Sequence, residues 1–109
     1  MDYVFPPAAP VALRVVGSES RFAVRRVYCV GQNYADHAVE MGGDGRQPPF
    51  FFGKPADALV PGGGDVAYPP QTVNLQHEVE LVVALGRGGS DIALADAQDC
   101  VFGYAVGFD

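Results

Sequence analysis

Apolar and polar residues alternate along much of this chain, and that alternation carries most of the elements it predicts. Residues 11–16 (VALRVV) and 21–24 (RFAV) are two short alternating runs around the turn-forming GSES. A third run, RVYCV at 26–30, follows and ends at Gly31. A period of two sends successive side chains to opposite faces, so these runs predict a hairpin and a further strand. "NYADHAVEMGG" breaks the pattern. Asn33 can cap a helix there, Asp36 sits in its first turn where the dipole favours an acid, and Gly42–Gly43 stops it. "DGRQPP" reads as a loop. Phe50, Phe51 and Phe52 are apolar enough to predict burial, with turns at Gly53 and Pro55. "PGGGDVAYPPQTVN" predicts a loop or short hairpin. "NLQHEVELVVALG" at 74–86 then reads as a strand, "IALADAQDCVF" as a short helix, and "GYAVGFD" as a last strand.

The pattern therefore predicts a β-rich α+β chain with short helices. It reads as a single domain over 1–109, with an N-terminal hairpin over about 1–25 and a second part over 26–109. Neither an internal repeat nor a low-complexity segment interrupts it. The last alternating run stops on Asp109, the final residue, which predicts that the domain continues in a longer protein.

Composition narrows the class. With 49% hydrophobic residues the chain expects a folded core, and its 14 glycines and 9 prolines expect many turns. No apolar run reaches the roughly 18 residues that span a bilayer. The start, "MDYVFPPAAPVALRVVG", lacks the basic residues and apolar block of a secretory signal, so the chain reads as cytoplasmic. Cys29 and Cys100 lie in apolar contexts without a CxxC or Cys/His cluster, and are expected as buried free thiols. Net charge is −6, with Lys54 the single lysine. The densest positive stretch, "RFAVRR", looks like an edge strand, so nucleic acid and anionic membrane are poor partners.

Four features carry possible chemistry. "PGGGDV" and "GRGGSD" lack both the Gly-Lys-Ser/Thr ending of a phosphate loop and GxGxxG spacing after a strand, and read as turns. His37 and Glu40 stand at i and i+3, on one face of the predicted helix. A carboxylate can there orient a histidine as general base, or the two can form a solvated surface pair. Lys54, between an aromatic run and a turn, suits either an anionic substrate or plain surface.

Glu78 and Glu80 are the harder case. Two residues apart in a strand, they point the same way, roughly 6–7 Å apart at Cα, and repel. A solvent-facing edge tolerates that. The surrounding strand is apolar on both faces, however, as buried strands are. Buried like-charged carboxylates demand a cation, and an oxygen-only donor set suits Mg²⁺, Mn²⁺ or Ca²⁺. Asp109, ending another strand, is placed to supply a third carboxylate.

Four stretches in order, "YCVGQNYADHAVEMG", "PPFFFGKPADALV", "HEVELVVALG" and "VFGYAVGFD", together resemble the fumarylacetoacetate hydrolase family. They cover about 26–109, and the preceding "VALRVVGSESRFAVRR" looks like the hairpin of its bacterial fumarylpyruvate hydrolase-like branch. The resemblance implies a mixed β-roll, incomplete in this chain. It implies Glu78, Glu80 and Asp109 as metal ligands for Mg²⁺ or Mn²⁺, with Ca²⁺ possible in a crystal. It implies His37 and Glu40 as the pair that activates water, and Lys54 beside the substrate. The partners implied are a small anionic 2-oxo acid and a second copy in a homodimer. The expected activity is hydrolysis of a carbon–carbon bond in an acylpyruvate, fumarylpyruvate first among candidates. Decarboxylation or tautomerisation of an oxaloacetate-like 2-oxo acid at the same site is the alternative. An inactive fragment is the third reading.

Overall fold

The computed structural model of the chain describes residues 1–31 and 48–109. The helix expected over "NYADHAVEMGG", with His37 and Glu40, lies outside the described residues. The chain divides into two compact units, Met1–Ala67 and Tyr68–Asp109.

In the first unit, β1 (Val11–Arg14) pairs antiparallel with β2 (Arg21–Val24), Val11 opposite Val24 and Arg14 opposite Arg21. The turn between them holds Gly17 at φ 78°, the left-handed region that a side chain disfavours. Next to it the Ser18 N–H donates to the Val15 carbonyl at 3.2 Å. β3 (Val27–Gly31) pairs antiparallel with β4 (Phe50–Lys54), Val27 opposite Lys54 and Gly31 opposite Phe50. The strand runs on through Gly53, where a turn was expected, and stops at Pro55, which has no N–H to continue a ladder.

The aromatic run is a correction to the sequence reading. Phe50, Phe51 and Phe52 are exposed, not buried. Alternation puts Phe51 on one face and Phe50 and Phe52 on the other, and a two-stranded sheet cannot cover both faces. On the second face the Phe50 ring lies over Gly31 so closely that a Cβ at Gly31 would overlap it. The Phe50 and Phe52 rings tilt together with centroids 6.2 Å apart.

In the second unit, β5 (Val79–Leu85) pairs antiparallel with β6 (Val101–Phe108), from Val79 opposite Phe108 to Ala84 opposite Gly103. Leu85 then lies opposite Val101, so Phe102 is the extra residue of a β-bulge. A 3₁₀ helix, Leu94–Cys100, leads into β6. The expected helix over 92–102 is thus shorter and tighter, and its last two residues belong to the strand. Ala93 offers no side-chain cap, and seven residues are too few to propagate an α-helix on propensity alone. The Cys100 thiol faces the Asp96 carbonyl at 4.0 Å. Both cysteines are free, but only Cys100 is buried, Cys29 being half-buried.

β5 corrects the sequence reading as well. It was expected to be buried on both faces, yet Val79, Leu81, Val83 and Leu85 are all exposed. Its face is shared by Tyr104, Val106 and Phe108, exposed too, and the His77 ring meets Phe108 edge-on at 5.8 Å. The opposite face is the better covered one, with Glu80, Ala84, Gly103 and Gly107 half-buried.

Candidate metal and active site

The candidate site lies on that better-covered face of the β5–β6 hairpin. The ladder extends one pair beyond the strands proper. The Glu78 N–H donates to the Asp109 carbonyl at 2.8 Å, and the Asp109 N–H donates back to the Glu78 carbonyl at 2.9 Å. Residues that exchange both bonds stand directly opposite, with Cα atoms about 5.5 Å apart and side chains on one face. Glu80 follows Glu78 by two residues and so projects from the same face, opposite Gly107. The backbone register therefore gathers three carboxylates, two from one strand and one from its partner, at one end of one hairpin.

What faces the glutamates matters as much. Gly103, Ala105 and Gly107 alternate along β6 on this face, so no bulky side chain of β6 stands over Glu80. Sequence reasoning passed over these three, although the small–x–small–x–small spacing of "GYAVG" was the available signal. Gly107 is the tightest position, where an added Cβ would come within 2.9 Å of Val82 Cγ2. Valine cannot swing aside cheaply, because its branched Cβ restricts χ1. Gly107→Ala is expected to cost about 1–3 kcal/mol of stability, in the range of overpacking substitutions. A thermal melt of the variant beside Ala105→Gly checks this, and an unchanged midpoint for Gly107→Ala would refute it.

The two glutamates are less buried than the apolar strand around them predicts. Glu78 is exposed and Glu80 half-buried, so neither is a fully buried charge in this chain. A two-stranded hairpin supplies no second layer to bury them. Among the described residues, no three His, Cys, Asp or Glu side chains converge as a group that could hold a metal ion. The donor set nonetheless fits one. Three carboxylates on one face, with small residues opposite, are the hard oxygen donors that Mg²⁺ or Mn²⁺ prefers.

Lys54 ends β4, half-buried, on the face that also carries Phe50, Phe52 and Cys29. It belongs to the first unit and the three carboxylates to the second. His37 and Glu40 lie outside the described residues. Among the described residues, no helix is long and apolar enough to cross a membrane.

The profile of the family described as "Fumarylacetoacetate (FAA) hydrolase C-terminal" matches residues 26–109, the greater part of the chain. The chain belongs to this family. A mitochondrial oxaloacetate tautomerase of Rattus norvegicus is 46% identical over 85 residues, which are 78% of this chain and 38% of the relative. A mitochondrial oxaloacetate decarboxylase of Dictyostelium discoideum is 42% identical over 86 residues, 78% of this chain and 39% of the relative. A fumarylpyruvate hydrolase from Pseudomonas aeruginosa, crystallised with Mn²⁺ and pyruvate, superposes with a TM-score of 0.91 at 57% identity. That match covers 99% of this chain and 48% of the other. The strand-rich fold with few short helices is accordingly part of the fold that this family uses for catalysis, and the family's relatives are enzymes. The chain spans less than half the length of the relatives it matches.

Proposed function

We propose that this chain is the metal-binding part of a fumarylpyruvate hydrolase, which splits an acylpyruvate into a carboxylic acid and pyruvate. The observation that carries the reading is the match to the Pseudomonas aeruginosa hydrolase, whose crystal holds Mn²⁺ and pyruvate. At 57% identity it exceeds the 42–46% shared with the oxaloacetate enzymes. Pyruvate is a product of the proposed reaction, and its 2-oxo and carboxylate oxygens are the chelating end common to all acylpyruvates.

Glu78, Glu80 and Asp109 would hold the divalent ion, Mg²⁺ or Mn²⁺. When bound, that ion supplies Lewis acidity and a template for the 2-oxo acid end of the substrate. His37, oriented by Glu40, takes a proton from water. The water oxygen adds to the acyl carbonyl carbon and the bond to the pyruvate methylene breaks. The methylene then takes up a proton, so that fumarylpyruvate and water become fumarate and pyruvate. The Lys54 ammonium pairs with a carboxylate of the substrate and holds it in place. The assembly proposed is a homodimer, and the compartment the cytoplasm.

The second reading, an oxaloacetate decarboxylase or tautomerase, draws on the two relatives that carry those names. Both readings use the same metal and the same 2-oxo acid end of the substrate, and differ in what lies beyond it. A direct test joins this chain to the part of the Pseudomonas aeruginosa enzyme outside the match. Fumarylpyruvate and oxaloacetate are then offered in turn, with Mn²⁺ and after chelation. Fumarylpyruvate loss at least tenfold faster than oxaloacetate loss, abolished by chelator, is expected. The reverse preference would establish the second reading, and turnover indifferent to chelator would defeat both.

A further inference from the structure

The Glu78–Asp109 pair is the outermost rung of the β5–β6 ladder among the described residues. A rung with a ladder neighbour on one side only opens more readily than one inside the ladder. A metal site built across such a rung needs both carboxylates held before the ion arrives. The backbone bonds at 2.8 and 2.9 Å fix the register of the pair, and a second contact lies directly behind them. His77 precedes Glu78, and Phe108 precedes Asp109. With a period of two, both rings project from the face opposite the carboxylates. There they meet across the ladder with centroids 5.8 Å apart and planes at 69°, within the edge-to-face geometry that aromatic pairs prefer. The approach to His77 is ordered as well. The Leu75 N–H donates to the Tyr68 hydroxyl at 3.2 Å, and Gln76 Nε2 donates to Asn74 Oδ1 at 3.3 Å.

We infer that His77 and Phe108 are positioning residues, whose edge-on pair clasps the Glu78–Asp109 rung from behind and presets the spacing of the two carboxylates in front. Each of the two acids is one peptide link from a clasped ring. Loosening either ring frees the backbone torsions that aim the neighbouring carboxylate. An ion bound by a loose pair must first order it, and that loss of conformational entropy lowers the affinity. The imidazole acts here through its ring and not through its nitrogens, since it stands on the side away from the carboxylates. Glu80 needs no such clasp, because its rung with Gly107 has ladder pairs on both sides. The consequence for the ion rests on the metal site proposed above, whereas the clasp itself does not.

The test uses this chain joined to the remaining part of the Pseudomonas aeruginosa enzyme, as wild type, His77→Ala, His77→Phe and Val83→Ala. Val83 lies farther along the same face, opposite Tyr104. Amide hydrogen exchange of the metal-free proteins reads the rung, and calorimetry reads Mn²⁺ affinity. His77→Ala is expected to speed exchange at the Glu78 and Asp109 amides about three- to tenfold, and to weaken Mn²⁺ binding by a similar factor. His77→Phe, which keeps an aromatic ring, should restore both. Val83→Ala should lower the melting point yet leave both readings at wild-type values. Unchanged exchange in His77→Ala would overturn the inference, as would failure of His77→Phe to restore it or an equal effect of Val83→Ala. Faster exchange with Mn²⁺ affinity intact would overturn the positioning role. Should the wild type take up no Mn²⁺, the metal site proposed above fails, and exchange alone decides the clasp.

Discussion

Glu80→Ala, made in this chain joined to the remaining part of the Pseudomonas aeruginosa enzyme, is expected to lower metal-dependent turnover at least about 100-fold. Mn²⁺ binding measured by calorimetry should be lost in parallel. Glu80 is the sharper choice of the two glutamates because it is the half-buried one, opposite Gly107 on the carboxylate face. Glu80→Gln keeps the shape and removes the charge, so it should lose nearly as much as the alanine if a cation is held there. A strand glutamate with a merely structural role would give the opposite pattern, a lowered melting point with Mn²⁺ affinity intact. Glu19→Ala, in the exposed turn before β2, serves as the control and should leave binding and turnover unchanged.

His37→Ala is expected to lower turnover by about 10²–10⁴-fold, the usual contribution of a positioned general base, while Mn²⁺ affinity stays as it was. The split between chemistry and metal binding is what separates this prediction from the first. Glu40→Gln, which leaves a side chain to orient the imidazole but removes its charge, should fall between wild type and His37→Ala. A loss below tenfold for His37→Ala would remove it from the mechanism and leave the pair's alternative reading as solvated surface residues.

Much of the fold was legible in the sequence because strand pairing leaves a local mark. The runs at 11–16, 21–24 and 26–30 became β1, β2 and β3 within a residue or two, since alternation needs only neighbours to be read. The 3₁₀ helix was misjudged as a longer helix because alanine content reports propensity, while the missing cap and the demand of the next strand are set by context. Burial was the larger miss. Phe50–Phe52 and β5 look like core, and their composition does belong to residues that are covered in a complete fold. Hydrophobicity states what a side chain needs, and coverage depends on a second layer that two-stranded sheets do not contain.

The candidate site divides along the same line. Sequence alone determined the candidates, Glu78 and Glu80 two residues apart, Asp109 at the end of another strand, and His37 and Glu40 three apart, together with their family. A period of two is enough to put the two glutamates on one face. Only the tertiary structure decided that Asp109 stands opposite Glu78 and faces the same way, because register is a long-range choice and a slip of one residue would have turned Asp109 to the other side. It also decided that the small residues of β6 face the glutamates while the bulky ones crowd the opposite side. That sorting follows from which residues pair across the ladder, which no local pattern in either strand can state.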